Sequence, residues 1–483
     1  MALSIMRQAG ELITLTVQEI CEACSGSLLA GSGQAPVGAV ATDTRDDLAG
    51  RLFVALEGEN FDGNDFLEQA LAGGAMGVVA REDAARRLAA GFEEGGGEAP
   101  AVIAVAGTGE ALKRIGSLAA GRTDATIVAV TGSTGKTSTK DIIASLVGGQ
   151  LRTVASRGSF NNEVGVPLTL LDAGEDTEVI IVEMGMQAPG EITELCRIVA
   201  PDVAVITNIG PAHLEFAGSM ENIAAGKAEI AHGLAPGGRL VVPFGEALLA
   251  PHLEGLGAEM VTFGMEPEAD VHPEYHEHLE DGTMRAAISC LGETVEATFN
   301  FSADHHLLNA LAALAVYRLL GLPLARAGEA AGGVSISRLR GESLRLASGA
   351  VLINDCYNAN PRSMRSSLEY LASIGTGGRT VAVLGDMGEL GEASLDYHRE
   401  VGRAAAELAI DCLVAVGEMA QGYLEGYEGV GGREARHFAD RESALAGAPS
   451  LVRPGDFVLV KASRFMRLEE LSEAITAAGG GEA

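Results

Sequence analysis

The stretch ATIVAVTGSTGKTSTKDIIASLV at residues 125–147 decides how this chain is organised. ATIVAV is an apolar run typical of a buried strand, TGSTGKTS is a loop, and TKDIIASLV has the pattern of a helix. A glycine-rich loop between a strand and a helix is the context in which this motif binds phosphate. These residues therefore predict a phosphate-binding loop in an α/β domain.

Each residue type in this loop has a use in binding phosphate. Successive backbone N–H groups form an anion site, and the start of the helix adds positive potential. The lysine can reach the outer phosphates, and the threonine hydroxyl can hold Mg²⁺. The strict motif has glycine at position 130, where this chain has Val130, so the loop is the shorter G-x-x-G-K-[ST] form. The alternative is a glycine-rich turn with a chance lysine. The residues expected to bind phosphate are Gly132, Ser133, Thr134, Gly135, Lys136, Thr137 and Ser138.

Polar residues follow the next two apolar strands, EVIIVEMG at 178–185 and DVAVITNIG at 202–210. Strands that are apolar on both faces indicate a parallel sheet covered by helices, and ligands bind at the carboxyl ends of such strands. Glu183 and His213 are therefore candidate ligands for a cation near the phosphates. A solvated loop carboxylate and a hydrogen-bonded loop histidine are the alternatives. For Lys227, helical spacing alone favours an ordinary solvated lysine.

The rest of the chain predicts two further α/β units, in keeping with about three domains for 483 residues. Residues 1–122 are expected to form a small α/β domain, 123–334 the central phosphate-loop domain, and 335–483 a doubly wound, Rossmann-like domain. Within the central unit, residues 257–302 are predicted to form short antiparallel strands, followed by a helix that ends at Gly321.

Composition excludes several classes of protein. The net charge of 34 − 66 = −32 disfavours binding to nucleic acid or to an anionic membrane surface. No apolar run reaches 18 residues, and the first fifteen residues lack the features of a signal peptide, so we expect no stable membrane insertion. Six cysteines are too few for a disulfide scaffold. A cytoplasmic location is the expectation.

Further segments along nearly the whole chain resemble the ATP-dependent Mur ligases. In the first unit they are DTR at 43–45 and FVALEGENFDG at 53–63. The central unit adds GSFNNEVGVPLTLL, VEMGMQAPGEI, TNIGPAHLEFAGS and AGKAEI, and the last unit adds NDCYNANPRSM, LGDMGELG and VKASR. Together these motifs are far more specific than the phosphate loop alone.

The resemblance implies an amide-forming ligase that uses ATP and Mg²⁺. The segments NNEVGVP and YNANP favour the member that joins D-alanyl-D-alanine to UDP-N-acetylmuramoyl-tripeptide through an acyl phosphate, in peptidoglycan precursor synthesis. The expected protein is a monomer with no nucleic-acid partner. The alternatives are another Mur-type amino-acid ligase or a folylpolyglutamate-type ligase, and, from other classes, a mechanical P-loop ATPase or a small-molecule kinase.

The resemblance also implies roles for individual residues. Lys136, Glu183, His213 and Lys227 are the expected catalytic residues. The expected metal ligands are Thr137, Glu183, His213 and Lys227, with Lys227 acting as a carbamate. His306, Asn309 and Arg340 are expected to contact ATP. The expected substrate-binding residues are Asp43, Thr44, Arg45, Asn60, Asp62, Gly63, Ser159, Asn161, Asn162, Asp355, Tyr357, Asn358, Asn360, Lys461 and Ser463.

Four positions depart from the family pattern. His306 stands in place of an asparagine beside the adenine, Ala462 in place of glycine, Gly226 in place of alanine, and Asn64 in place of histidine. None of these positions lies in the phosphate loop or at Glu183 or His213. They are therefore interpreted as divergence within an active enzyme.

Overall fold

The computed structural model describes residues 12–58, 61–92, 99–279 and 281–480, and it confirms the predicted α/β class. Three separate sheets of five, nine and six strands follow one another along the chain, and a two-stranded ribbon accompanies the first. Within the described ranges, no helix combines the length and the apolar character needed to span a bilayer.

The first sheet is mostly parallel. Its order is β2-β7-β6-β5-β4, with only β2 antiparallel to its neighbour, and β1 pairs with β3. The strands are β1 (Leu15–Thr16), β2 (Ser27–Ala30), β3 (Pro36–Val37), β4 (Val40–Ala41), β5 (Leu52–Val54), β6 (Gly77–Arg81) and β7 (Ala101–Val105). The helices are α1 (Val17–Ala23), α2 (Leu67–Ala72), α3 (Glu82–Ala90) and α4 (Thr108–Ala120).

The central sheet has the order β16-β15-β14-β13-β12-β11-β8-β10-β9. The strands are β8 (Thr126–Thr131), β9 (Thr153–Ala155), β10 (Val179–Glu183), β11 (Val203–Ile206), β12 (Arg239–Pro243), β13 (Glu259–Phe263), β14 (Val271–His278), β15 (Met284–Cys290) and β16 (Glu293–Phe299). The helices are α5 (Lys136–Val147), α6 (Gly165–Leu171), α7 (Glu191–Ile198), α8 (Leu214–Ala217), α9 (Met220–His232), α10 (Ala250–Leu253), α11 (Asp304–Leu319) and α12 (Leu324–Ala330).

The antiparallel character predicted for residues 257–302 is confirmed for β14, β15 and β16, but β13 continues the parallel part of the sheet beside β12. The strands that lead to the phosphate loop and to Glu183 are buried almost throughout. Burial on both faces explains why their sequences are apolar without alternation.

The third sheet is doubly wound, with the order β17-β18-β22-β19-β20-β21, and only β17 is antiparallel. Its strands are β17 (Glu342–Arg345), β18 (Val351–Asp355), β19 (Thr380–Gly385), β20 (Cys412–Val416), β21 (Glu434–Phe438) and β22 (Phe457–Lys461). Its helices are α13 (Pro361–Ile374), α14 (Ser394–Glu407), α15 (Ala420–Gly429), α16 (Arg441–Gly447) and α17 (Glu469–Ala478).

The first and central sheets share an apolar core, whereas the third sheet has apolar clusters of its own. One apolar cluster runs from Ile13 through the first sheet to Leu253 of the central unit. Helices α4 and α6 approach closely, because a Cβ on Gly116 would lie 2.8 Å from the Cα of Pro167. The third sheet packs two clusters of its own, and no apolar cluster of described residues joins it to the others. A polar cleft therefore separates the third unit from the central one.

Candidate active site

The phosphate loop lies between β8 and α5, as predicted. Gly132 and Gly135 have φ angles of 145° and 79°, in the region that favours glycine. A Cβ at Gly132 would overlap the Thr207 hydroxyl, and one at Gly135 would overlap the Asn309 amide. Both glycines are therefore required by conformation and by space.

The segment after β11 holds the loop in shape. The side-chain oxygen of Asn208 accepts a hydrogen bond from the N–H of Thr134 at 3.1 Å. Ser133 exchanges two hydrogen bonds of 2.9 Å with the backbone of Gly210. These contacts hold the loop in shape before any ligand binds. The loop therefore loses less conformational entropy when it binds phosphate.

Register explains why the functional groups meet here. Strand β8 lies between β10 and β11, with Glu183 opposite Val130 and Ile206 opposite Thr131. Three adjacent carboxyl ends therefore deliver the phosphate loop, Glu183 and the 207–213 segment to one edge of the sheet.

Glu183 is buried and held on both of its oxygens. The Thr137 hydroxyl donates to one oxygen at 2.6 Å, and the Asn161 amide donates to the other at 2.8 Å. Lys136 donates to the carbonyl of Gly132 at 2.8 Å. Burial lowers the pKa of Lys136, against the opposing effect of Glu183.

Lys227 is almost completely buried, so the solvated-lysine interpretation is excluded. Its pKa is lowered well below the ordinary value, first by burial and then by the charge of Lys136. It forms no hydrogen bond or ion pair within the described part of the chain. A Cβ on the preceding Gly226 would lie 2.5 Å from the terminal methyl of Met186, so the flexible Met186 side chain would have to shift.

His213 occupies the left-handed region, at φ 57°, just before α8. Its Nδ1 lies 2.5 Å from Oε2 of Glu389, which belongs to the loop after β19. The contact lacks the direction of a hydrogen bond, so we describe it as a close polar contact. The pKa of Glu389 is lowered, chiefly by this contact with His213.

The third sheet supplies the opposite wall of the cleft from its own strand ends. Asp355 ends β18 and lies opposite Lys461, which ends β22, and the ammonium and carboxylate are 2.6 Å apart. The guanidinium of Arg340 lies 4.0 Å above the ring of Tyr357, whose hydroxyl is in contact with Ser159 of the central unit. The contact between Tyr357 and Ser159 places this wall against the central domain.

The cleft between the two walls has a volume of about 570 Å³. Its lining includes His306, Asn309, Phe244, Phe263 and Met265. His306 contacts the carbonyl of Arg340 at 3.2 Å, its Nδ1 has no partner, and burial lowers its pKa to about 3. The imidazole is therefore neutral and offers a free ring nitrogen.

Several predicted substrate-binding residues form hydrogen bonds to the protein's own backbone. Asn360 caps α13, and Asn162 accepts the N–H of Gly165 at the start of α6. Ser463 bonds the backbone at Ala359 and Gly388, and Asn358 accepts the N–H of Ala359.

Among the residues that the structure describes, the candidates from the first unit do not line the cleft. Asp43 binds Arg45 at an exposed turn that includes Thr44, and Asp62 caps the short 3-10 helix that begins at Gly63. Asn64 there is buried and accepts the N–H of Arg81 at 2.9 Å. Asn60 lies outside the described residues.

Sequence reasoning missed three residues that shape the site. Glu389 pairs with His213, Asn208 braces the phosphate loop, and Arg362 donates to the carbonyl of Ile209 at 2.7 Å. Each lies inside a motif that the sequence singled out, but only contacts between segments distant in the chain reveal its role.

Residues 130–317 match the profile of the Mur ligase middle domain, and residues 339–464 match that of the Mur ligase glutamate ligase domain. The chain is 34% identical to the UDP-N-acetylmuramoyl-tripeptide--D-alanyl-D-alanine ligase of Bacillus subtilis, over 95% of this chain and 98% of the relative. A crystal structure of MurF from Acinetobacter baumannii is 30% identical, with a TM-score of 0.85 over 97% of this chain and 100% of that one. MurF ligase from Thermotoga maritima in complex with ADP is 28% identical, with a TM-score of 0.77 over 91% and 97% of the two chains.

Proposed function

Because this chain belongs to the Mur ligase family, we infer that it joins D-alanyl-D-alanine to UDP-N-acetylmuramoyl-tripeptide at the expense of ATP. The observation that carries this inference is the similarity to ligases of that name over the full length of both chains, which includes both walls of the cleft. The product is the UDP-linked pentapeptide, a precursor of peptidoglycan.

The reaction needs activation because a carboxylate is a poor electrophile. The terminal carboxylate of the tripeptide takes the γ-phosphate of ATP, and the free amine of the dipeptide then attacks the acyl phosphate and releases phosphate. Two anions meet in the first step, so the protein contributes mainly electrostatic stabilisation. In this proposal Lys136, at the start of α5, neutralises charge on the phosphates, and closure of the wall that carries Asp355 and Lys461 would exclude water from the acyl phosphate.

The oxygen donors beside the phosphate loop fit Mg²⁺. Thr137 and Glu183 offer hard oxygen atoms in a buried position beside the phosphate loop, and oxygen donors are those that Mg²⁺ prefers. His213 lies on the same cleft and is a further ligand in this proposal. When bound, Mg²⁺ would neutralise charge on the outer phosphates. Lys227 would join the ligands as a carbamate, which is supported by its burial and its lowered pKa.

We assign roles to the remaining predicted residues that line the cleft. His306, Asn309 and Arg340 are proposed to contact ATP, and Ser159, Asn161, Tyr357 and Asn358 to contact the peptide substrates. Residues 1–122, with Asp43, Arg45 and Asp62, are proposed to hold the uridine nucleotide, with domain limits of 123–334 and 335–483 for the other two units. That the enzyme is a monomer and that it is cytoplasmic both stay predictions.

Release of ADP, measured with both peptide substrates, with each alone and with neither, tests the proposed function. We expect turnover only when UDP-N-acetylmuramoyl-tripeptide and D-alanyl-D-alanine are both present, with one amide formed for each ADP. ADP release with neither substrate would support a mechanical ATPase instead. A stable phosphoester product without free phosphate would support a kinase.

A further inference from the structure

A second group of chemically active side chains lies away from the cleft. His276 and His278 are two residues apart on β14, so their side chains share one face of the strand. Asp304, the first residue of α11, faces them. One donor atom from each of the three lies within 4.8 Å of the other two, and none of the three lines the active-site cleft.

The spacing of these atoms is not that of hydrogen-bonded ion pairs. Nε2 of His276 and Nε2 of His278 lie 3.6 and 3.3 Å from the same oxygen, Oδ1 of Asp304. Hydrogen bonds between an imidazolium and a carboxylate are shorter, about 2.7–2.9 Å. Donors at about 2.1 Å from a single tetrahedral ion lie about 3.4 Å from one another. Both measured distances are close to that value.

We propose that His276, His278 and Asp304 bind a transition-metal ion of the zinc class. Two imidazoles and one carboxylate suit Zn²⁺, whereas Mg²⁺ prefers oxygen donors. The three side chains are 29%, 37% and 59% exposed, so the ion can enter from solvent and water can complete its coordination. The strongly negative net charge of the chain also attracts cations.

The surrounding elements keep the three donors together. An irregular register between Pro273 and Tyr275 precedes the two histidines, and beyond it β14 pairs regularly with β15 as far as His278. The neighbouring Glu277, whose side chain alternates to the other face, is paired with Arg285 at 3.0 Å and so does not compete for the imidazoles. The ion would tie the start of α11 to the antiparallel part of the central sheet.

Titration calorimetry with Zn²⁺ on the chelator-treated full chain, in excess Mg²⁺, tests this site. We expect one equivalent of Zn²⁺ to bind with micromolar or tighter affinity. We expect three variants to weaken binding roughly tenfold or more each: His276→Ala, His278→Ala and Asp304→Asn. Loss of a group that only hydrogen-bonds a metal ligand already costs about 10- to 100-fold in affinity. His437→Ala removes an exposed strand histidine of the third sheet and serves as the matched control.

Two additional measurements distinguish loss of zinc binding from unfolding and from loss of ligase activity. Urea unfolding checks that the variants are folded, and Asp304→Asn preserves the size of the side chain. Ligase turnover in Mg²⁺ should not change in any of the variants, so the result does not depend on the proposed function. The proposal is overturned if Zn²⁺ does not saturate, or if all four variants bind it as the unmodified chain does, which would place the ion elsewhere.

Discussion

At the scale of the residue, the most informative feature is the buried Lys227, which interacts with the positive charge of Lys136. Lys136 has a carbonyl partner, whereas Lys227 has none within the described residues, and the charge of Lys136 lowers the pKa of Lys227 further. A buried ammonium without a neighbouring anion is unfavourable in free energy, which favours the neutral amine of Lys227. Deprotonation is also what reaction with CO₂ requires.

Replacing Lys136 should abolish most turnover while leaving the fold intact. In Lys136→Ala a charge-assisted contact with phosphate is lost, which costs about 2–4 kcal/mol of transition-state stabilisation, or roughly 30- to 1,000-fold in rate. ADP release in the presence of both peptide substrates measures the effect. Lys113→Ala, a half-exposed lysine of α4, should retain full activity. Activity near that of the unmodified protein in folded Lys136→Ala would contradict the assigned role.

Lys227 should be needed as a carbamate and not as a cation. Lys227→Ala should lose most activity, and short carboxylic acids in the buffer should restore part of it by placing a carboxylate in the vacated space. Lys227→Arg should not be rescued, because the guanidinium fills that space and keeps its positive charge. Turnover of each variant, measured with and without the acid, is the test. An active Lys227→Ala variant in acid-free buffer would refute the carbamate.

At the scale of the element, the loop after β19 depends on one buried histidine. Nε2 of His398, on α14, accepts the N–H of Met387 at 3.0 Å, and its Nδ1 donates to the carbonyl of Ser394 at 2.6 Å. The same loop carries Glu389 to His213. A buried histidine of α14 thereby holds the loop that brings Glu389 to His213.

His398→Ala should reduce the free energy of unfolding by about 1–3 kcal/mol, because it leaves the Met387 N–H buried without a partner. Burial lowers the pKa of His398 below 6.5, so the unfolded chain binds the proton more readily than the folded one. Stability should therefore fall as pH drops below about 6.5, and less steeply in the variant. Urea unfolding between pH 5 and 8 measures both effects, with His437→Ala as the control. Equal pH dependence in both variants would rule out this assignment.

At the scale of the whole molecule, the third unit is held to the central one by polar contacts. Arg362 to the Ile209 carbonyl, Tyr357 to Ser159 and Glu389 to His213 all cross the cleft. The apolar clusters stop short of this interface. Polar contacts of this kind can open and close around substrates more readily than a shared core.

Arg362→Ala should therefore slow turnover about tenfold, equivalent to about 1.4 kcal/mol, without lowering the unfolding midpoint. The reason is that its bond to Ile209 aligns the two walls but belongs to neither core. Steady-state kinetics and urea unfolding check the two halves of this prediction. Arg365→Ala, one turn further along α13 and paired with Glu369, is the matched control. Equal loss of activity in both variants would contradict a specific role for Arg362.

The sequence by itself determined the fold class, the phosphate loop and the family. These are local properties: apolar strands, glycines that must adopt positive φ, and motifs that are contiguous in the chain. Glu183 could be predicted because it ends a strand beside the loop, and ligands gather at that edge of a parallel sheet. For Lys227, helical spacing alone favoured the wrong interpretation, and only the resemblance to the family corrected it.

The tertiary structure decided what depends on distant segments meeting. The pairing of Glu389 with His213, the bond from Arg362 to Ile209 and the bracing of Thr134 by Asn208 join residues that are 74 to 176 positions apart. The cluster of His276, His278 and Asp304 likewise needs α11 to start beside β14. No local pattern encodes such meetings, because sheet order and packing bring the residues together only when the whole chain has folded.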